Sequence, residues 1–319
     1  MRIAAGRGPR IRPPSPFKRN HTVSILVDER SRVIVQGITG REGMTRTQLM
    51  KDYGTHVVAG VTPGRGGQEV CGVTVFNSVA EVWEKVGPVD ISVIFIPAAL
   101  VRNAALEAID AGVKLLVIVP DRVPIYDVLD IARAAKEKGA RFVGPNTLGL
   151  LSPGKAILGM IGGRAQRARE WFTPGVVGVS SRSGGMTSAI AYYLTRAGLG
   201  QSTIIHVGGD AIVGLSHPEV MELFEKDEQT KAVAMFGEIG TTQEERVADL
   251  IAARKFTKPL VAFIGGKAAK AGTRFSHAGA IVEGSRGSYE TKVSRLRAAG
   301  AHVVDSIFDI PKRVAELLG

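Results

Sequence analysis

The sequence predicts an α/β protein made of two parallel-sheet domains. From residue 24 onward, short β-branched strands alternate with helical segments, the pattern of a parallel sheet with crossover helices. Several strands are apolar throughout, as parallel strands are when helices cover both faces of the sheet. At 319 residues the chain is long for one hydrophobic core and sufficient for two domains.

The first predicted domain covers residues 23–150. Its strands are runs of Val, Ile and Leu, and its helices show apolar residues at helical spacing or begin at a capping serine, Ser78. Strands are predicted at residues 32–35, 57–61, 73–76, 90–96, 114–119 and 141–143, and helices at 44–52, 79–83, 98–111 and 125–138.

A second alternating region, residues 175–319, is predicted as the second domain. Glycines and prolines are frequent at residues 151–174, which we therefore interpret as a linker. Strands are predicted at residues 176–179, 202–207, 232–236, 259–264 and 302–304, and helices at 187–197, 217–226, 244–255, 287–299 and 310–318.

Charge and cysteine content restrict the function class. The net charge is +11, but residues 1–22 hold six Lys and Arg and no Asp or Glu, which leaves 11 − 6 = +5 for the rest. No basic stripe interleaved with aromatics follows, so a nucleic-acid partner is not expected, and no apolar run is long enough to span a membrane. The single cysteine, Cys71, excludes an internal disulfide and fits a reducing compartment.

Residues 1–22 are Arg-rich and acid-free, as organelle transit peptides are. Four prolines in this stretch would break the amphipathic helix that a transit peptide needs. We therefore predict a disordered basic tail and a cytoplasmic protein, with the mitochondrial matrix as the alternative.

A glycine-rich turn at residues 37–43 follows the first strand and opens a helix. Glycines let the backbone approach a phosphate, and the helix N-terminus supplies N–H donors. After the second strand, where an NAD site needs an acidic residue, the first charged residue is Arg65. A cation there favours the 3′-phosphate of coenzyme A over NAD, although an ordinary solvated arginine remains an alternative.

A second strand-to-helix turn contains two hydroxyl groups and two glycines, at Ser181, Ser183, Gly184 and Gly185. With a helix N-terminus these groups can cradle an anion. The alternative interpretation is that Ser183 only caps the helix.

His277 lies among small residues, in Ser276-His277-Ala278-Gly279. Because the pKa of imidazole is near physiological pH, its neutral nitrogen can accept a phosphoryl group. If Glu238, which follows a strand, accepts the Nδ1–H of His277, the Nε2 atom is left as nucleophile. An exposed turn glutamate is the alternative for Glu238. Among the other histidines, only His206 has a sequence context that could line a site.

Taken together, these motifs resemble the α subunits of succinyl-CoA synthetases (succinate–CoA ligases) and the wider acid–CoA ligase superfamily. The resemblance runs from about residue 24 to the C-terminus and also includes GPN at 144–146, GGD at 208–210 and GEIG at 237–240. It implies a Rossmann-like CoA-binding domain followed by a flavodoxin-like ligase domain. In that family a histidine matching His277 carries the phosphoryl group, a glutamate matching Glu238 orients it, and the SRSG helix holds the phosphate.

The resemblance also implies which residues bind cofactors and partners. CoA would be held by Gly37, Thr39, Gly40, Arg41, Glu42, Gly43, Pro63, Arg65, Ile96, Pro97 and Asn146. A β subunit of ATP-grasp fold would bind ATP or GTP with Mg²⁺, and no metal site is expected on this chain. The implied reaction forms succinyl-CoA, or a related dicarboxyl-CoA, through a phosphohistidine and an acyl phosphate.

The sequence departs from the succinate enzymes near the expected acid site. Thr147-Leu148 stands where those enzymes have Cys-Pro after GPN, and Gly185-Met186 follows SRSG where they have Thr-Leu. A malate–CoA ligase α subunit is therefore an alternative, and so is a non-catalytic CoA- or nucleotide-binding regulator. The sequence does not decide between ATP and GTP, or between αβ and (αβ)2 assemblies.

Overall fold

The computed structural model describes residues 24–268 and 287–319, which form two mainly parallel sheets with helices packed against them. The predicted basic tail and His277 lie outside these residues. None of the described helices is long and apolar enough to cross a membrane.

The first sheet has the strand order of a Rossmann fold. Its strands are β1 (Val33–Gln36), β2 (Val57–Val61), β3 (Glu69–Val70), β4 (Val73–Phe76), β5 (Ile91–Ile94), β6 (Leu115–Ile118) and β7 (Arg141–Val143). Its helices are α1 (Arg41–Tyr53), α2 (Val79–Lys85), α3 (Val101–Asp110) and α4 (Ile125–Lys138). The order is β3-β4-β2-β1-β5-β6-β7, and only β3 pairs antiparallel among these strands. Without this edge strand the order is 3-2-1-4-5-6, that of dinucleotide-binding folds.

The second sheet contains a flavodoxin-like core. Its strands are β8 (Gly149–Ser152), β9 (Ala156–Gly159), β10 (Pro174–Ser181), β11 (Gln201–His206), β12 (Ala232–Glu238), β13 (Leu260–Gly265) and β14 (His302–Val303). Its helices are α5 (Ala165–Trp171), α6 (Gly184–Arg196), α7 (His217–Lys226), α8 (Gln243–Ala252), α9 (Tyr289–Ala299) and α10 (Ile310–Leu318). The order is β14-β13-β12-β10-β11-β8-β9. Its five parallel strands therefore follow the order 2-1-3-4-5 that defines flavodoxin-like sheets.

The segment predicted as a linker, residues 151–174, differs from that prediction. It contains most of an antiparallel hairpin, β8–β9, that extends the second sheet beyond β11, and it also contains helix α5. The Pro153-Gly154 pair is the turn of this hairpin. Gly149 and Gly159 lie opposite each other, and a Cβ on Gly149 would be 1.8 Å from the carbonyl oxygen of Leu158. The glycines thus serve close strand pairing instead of flexibility.

The hairpin also joins the two sheets. Helix α1 packs against β9 and α5, and the hydroxyl of Thr55 donates to the carbonyl oxygen of Ile157 at 2.8 Å. As a result, one cluster of buried apolar side chains runs from a face of the first sheet into the second, while the other face of the first sheet has its own cluster.

Each parallel sheet has one point at which its strand order reverses. In the first sheet this point lies between β1 and β5, and in the second between β10 and β12. Open α/β sheets bind ligands outside the carboxyl ends of the strands at such points. The two candidate sites occupy these two positions.

Candidate active site

A cavity of about 440 Å³ lies at the reversal point of the first sheet. Its volume is within the range of small-molecule sites. Six of the eleven predicted CoA residues line it: Gly37, Thr39, Gly40, Pro63, Ile96 and Pro97. Sequence reasoning missed the contributions of the ends of β1 and β2, of the residue after β5, and of α3 with the residue before it. These lining residues are Gln36, Val61, Thr62, Phe95, Leu100, Asn103, Ala104 and Glu107.

The glycines of this turn are required by close backbone contacts. Gly37 has φ +85°, and a Cβ there would lie 2.4 Å from the carbonyl oxygen of Phe95. A Cβ on Gly43 would lie 2.1 Å from the carbonyl oxygen of Gly37, so only glycine lets α1 begin this close to the turn. Helix α1 has Gly40 as its N-cap and no side-chain cap within the described residues. Its first N–H groups therefore remain available to an anion.

The other predicted CoA residues do not line this cavity. Arg41 and Glu42 are exposed on the first turn of α1, where Glu42 pairs with Arg46 at 3.1 Å. Arg65 is exposed on the loop that also carries Pro63. Asn146 lies at the junction of the two domains, and its Nδ2 donates to Oδ1 of Asp210 at 3.0 Å.

The SRSG turn lies at the reversal point of the second sheet, between β10 and α6. The Ser181 hydroxyl donates to the carbonyl oxygen of Ser183 at 2.9 Å and accepts from its N–H at 3.1 Å. Ser183 is the N-cap of α6, but its side chain makes no capping bond within the described chain. Ser183 therefore holds the capping position predicted by the alternative, but its hydroxyl leaves the first N–H groups of α6 without a side-chain partner among the described residues. A Cβ on Gly185 would meet no described atom within 4 Å, so the described part of the chain leaves room at the first turn of α6.

Glu238 ends β12 and is 3% exposed. The alternative of an exposed turn glutamate is therefore wrong. Its Oε1 accepts from Nε of Arg182 at 2.9 Å, and its backbone N–H donates to Oε1 of Glu244 at 3.0 Å. Arg182 was not among the predicted site residues. An arginine between two serines in a turn gives no sequence signal of burial, since most arginines are exposed.

Described residues on both sides of the segment that contains His277 lie beside Glu238. Before it, Gly265 pairs with Glu238 in the sheet. After it, the carbonyl oxygen of Gly287 accepts from the N–H of Gly240 at 2.8 Å. Gly265 and Gly287, described residues on either side of the segment, are therefore held by the backbone at or within two residues of Glu238.

A buried group of charges supports this corner. Nζ of Lys292 donates to Oε2 of Glu244 and, at 2.8 Å, to Oε2 of Glu245. Burial alone would raise the pKa of Glu244, but the positive charges around it, chiefly Lys292, lower that pKa below its usual value. Glu245 also accepts from the N–H of Gly287 at 3.2 Å. The cluster thus joins the start of α8 to the point where the chain returns after residue 286.

Two buried histidines have structural roles. In His206, Nδ1 accepts from the N–H of Leu148 at 2.8 Å, so its Nε2 is the atom that donates to the carbonyl oxygen of Arg182, at 3.0 Å. His217 is fully buried, and burial lowers its pKa to about 4. Its Nδ1 lies 2.7 Å from the hydroxyl of Ser180. Both imidazole rings therefore hydrogen-bond to residues in or near the SRSG turn and help to fix its backbone.

Both domains of the chain are similar to known proteins. Residues 28–121 match the family model described as a CoA binding domain, and residues 180–302 match the model described as CoA-ligase. The chain is 47% identical over 296 residues to a succinate–CoA ligase [ADP-forming] α subunit of Archaeoglobus fulgidus, covering 93% of this chain and 99% of that one. The chain belongs to the CoA-ligase family.

Other members of the CoA-ligase family act on a different acid. This ligase chain is 42% identical over 297 residues to an ADP-forming sulfoacetate-CoA ligase subunit of Bilophila wadsworthia, covering 93% of this chain and 100% of that one. Among solved structures, ATP citrate lyase of Methanothrix soehngenii shares the fold with a TM-score of 0.85 at 24% identity. The match covers 92% of the ligase chain and half of the lyase chain.

Proposed function

We propose that this chain is the α subunit of an ADP-forming succinate–CoA ligase that works with a β subunit. The observation that carries the proposal is the corner at the second reversal point. There a buried carboxylate, Glu238, lies beside a helix N-terminus that has no side-chain cap among the described residues, and Gly265 and Gly287, which flank the segment containing His277, are held beside the same strand end. These are the parts that a phosphoryl relay needs.

CoA is proposed to occupy the cavity between β1 and β5. Helix α1 begins at this turn with no side-chain cap among the described residues, so its first N–H groups can donate to a phosphate. Arg65 is exposed on the adjacent loop, and its cation is proposed to attract the 3′-phosphate. The apolar part of the lining, including Ile96 and Pro97, suits the adenine or the pantetheine arm.

The chemistry divides into three transfers. Nε2 of His277 attacks the γ-phosphorus of ATP, the bond to the β–γ bridging oxygen breaks, and ADP leaves. A carboxylate oxygen of the acid then attacks the phosphorus, the P–N bond breaks, and an acyl phosphate forms. The CoA sulfur finally attacks the acyl carbon after its proton is lost, and inorganic phosphate leaves with the C–O bond electrons.

Each proposed residue has a defined part in these steps. Glu238 accepts the Nδ1–H of His277, which fixes the tautomer and stabilises the positive ring that forms on phosphorylation. Ser181, Ser183, Gly184 and Gly185 hold the phosphoryl oxygens at the N-terminus of α6, where the helix dipole favours negative charge.

The nucleotide and Mg²⁺ are assigned to the β subunit. The sequence Gly266-Lys267-Ala268 lacks the Ser or Thr that completes a P-loop. The names of the relatives favour ADP as the product over GDP. The proposed location is the cytoplasm, with which the single cysteine, Cys71, is consistent.

The test is thioester formation by the chain together with its β subunit, ATP, Mg²⁺ and CoA. Succinate, malate, citrate and sulfoacetate are compared, and succinate is expected to give the highest kcat/KM. His277→Asn should abolish thioester formation, whereas the matched change at the exposed His56, His56→Asn, should leave it intact. Equal inactivity toward all four acids, or full activity of His277→Asn, contradicts the proposal. A preference for malate or sulfoacetate keeps the mechanism and changes the substrate.

A further inference from the structure

The arginine of the SRSG motif lies between three loops at the carboxyl edge of the second sheet. Arg182 is 0% exposed. Its Nε donates to Oε1 of Glu238 at 2.9 Å, and its Nη2 donates to the carbonyl oxygens of Gly209 and Asp210 at 3.3 and 3.1 Å. One side chain therefore joins the SRSG turn, the loop after β11 and the end of β12.

Stability does not explain this arrangement. A buried ion pair is often no more stable than an apolar pair of the same shape, because desolvation offsets the attraction. In addition, Nη1 of Arg182 is buried without a hydrogen-bond partner among the described residues, which costs further free energy. A buried polar atom without a partner in a native protein calls for an explanation, and one explanation is that the position of its side chain is needed for function.

The geometry of Arg182 fixes the Glu238 carboxylate. The backbone of Glu238 is already held by Glu244, which is in turn paired with the buried Lys292. Arg182 adds a bond to one carboxylate oxygen, and its planar guanidinium is itself oriented by the two carbonyl groups. Because a guanidinium presents its donors in a rigid fork, lysine cannot make the same set of bonds.

The loop that orients Arg182 is also tied to the first domain. Asn146 donates from Nδ2 to Oδ1 of Asp210 at 3.0 Å, and its carbonyl oxygen accepts from the N–H of Gly209 at 3.1 Å. Hydrogen bonds thus run continuously from the GPN turn that follows β7, through residues 209–210 and Arg182, to Glu238.

We propose that Arg182 is a positioning residue of the phosphoryl relay, which acts by holding the Glu238 carboxylate toward the phosphorylated residue. The proposal rests on the function proposed above. Arg182 does not touch the substrate. It sets the orientation of Glu238, and its loss lowers the rates of phosphorylation and of discharge without weakening the binding of ATP, CoA or the acid.

The test uses the full chain in complex with its β subunit and measures two half-reactions by rapid quench. The first is phosphorylation by labelled ATP, and the second is discharge of the label by succinate and CoA. Arg182→Met removes the charge at similar length, Arg182→Lys keeps the charge without the fork, and Arg313→Met removes an arginine from an exposed pair with Glu316 as the matched control.

We expect Arg182→Met to slow both half-reactions on the order of 100-fold, the loss that a small misplacement of a catalytic group causes. The KM values for ATP and CoA should stay within about threefold. Arg182→Lys should recover part of the lost rate, and Arg313→Met should match the wild type. Calorimetry reports the folded fraction, and if Arg182→Met does not fold, Arg182→Lys alone must show slow transfer at unchanged KM.

Three results overturn the inference. A positioning role is excluded if both Arg182 variants transfer the phosphoryl group at wild-type rates. It is also excluded if the KM values rise while the rates stay unchanged, or if the loss of rate is proportional to the unfolded fraction. Each of these results leaves the proposed function standing. A wild-type complex that takes no label from ATP removes the proposed function and this inference with it.

Discussion

We predict that the buried histidine behind the SRSG turn, His217, makes the stability of the protein depend on pH. His217 opens α7 and is fully buried, with Nδ1 beside the hydroxyl of Ser180 and Nε2 3.2 Å from the carbonyl oxygen of Phe236. Burial lowers its pKa from 6.5 to about 4, although the nearby Glu244 opposes this. The folded protein therefore holds this ring neutral where the unfolded chain protonates it.

The direction and the size of the pH effect on stability follow from this difference in the pKa of His217. Between pH 6.5 and 4 the unfolded state binds more protons at this residue than the folded state does. The contribution of the neutral His217 to the free energy of unfolding is therefore complete above pH 6.5 and is lost as the pH falls toward 4. At 1.36 kcal/mol per pKa unit, the full difference corresponds to about 3 kcal/mol. Lowering the pH from 7.5 to 5 should remove about 2 kcal/mol of it.

Urea unfolding of the full chain at pH 7.5, 6 and 5 measures this contribution. His217→Gln keeps a donor for the carbonyl oxygen of Phe236 but cannot titrate in this range, so its unfolding free energy should fall less with pH, by about 2 kcal/mol over the interval. His56→Gln, at an exposed position, should retain the wild-type dependence. Parallel curves for the wild type and His217→Gln would refute the reasoning.

Three further predictions concern the charge cluster and the CoA cavity. Lys292→Met should lower the free energy of unfolding, measured by urea titration, by about 3–5 kcal/mol, because it leaves Glu244 and Glu245 buried without their cation. The triple variant Lys292→Met, Glu244→Gln, Glu245→Gln removes the buried negative charges as well and should recover much of this loss. Arg65→Ala should raise the KM for CoA about tenfold and leave the KM for 3′-dephospho-CoA unchanged in steady-state assays, because only CoA carries the 3′-phosphate that Arg65 is proposed to bind. Gly43→Ala should destabilise the chain by about 1–3 kcal/mol and weaken CoA binding in calorimetry, because the new methyl group would lie 2.1 Å from a carbonyl oxygen of the turn.

Matched variants decide these predictions. Lys85→Met removes a lysine from an exposed pair with Glu81 and should change stability by less than about 1 kcal/mol; an equal effect of Lys292→Met would contradict the role of burial. Arg122→Ala removes another exposed arginine of the first domain and should leave both KM values unchanged. If Arg65→Ala affects CoA and 3′-dephospho-CoA alike, Arg65 does not read the phosphate.

The sequence predicted the parallel architecture because apolar strands and their helices are local patterns. Strands such as Val57–Val61 and helices such as Ile125–Lys138 coincide with the prediction. Most of the hairpin Gly149–Gly159 falls in the predicted linker, because its glycines and its Pro-Gly turn suggest irregular chain. Their actual reason, close pairing of two strands, depends on the partner strand and is not visible locally.

The candidate site was predictable only in part for a similar reason. The SRSG turn and Glu238 follow strands, so their placement at one sheet edge could be inferred from the sequence. The buried pairing of Arg182 with Glu238 joins residues 56 positions apart. Asn146 was predicted as a CoA residue, but the structure places its side chain on Asp210 at the domain junction. Long-range polar pairs of this kind have no periodicity that sequence reasoning can detect.

In the proposed mechanism, one phosphoryl group passes from nucleotide to acid through His277. The most direct measurement isolates the phosphorylated chain with its β subunit, free of nucleotide, and adds succinate and CoA. Peptide mass spectrometry at alkaline pH then follows the phosphoryl group on His277 while succinyl-CoA is quantified. We predict that the phosphoryl group is found on His277 and is lost in a one-to-one ratio with the thioester formed. The relay through His277 would be contradicted if the thioester formed while His277 stayed phosphorylated, or if the phosphoryl group were found on another residue.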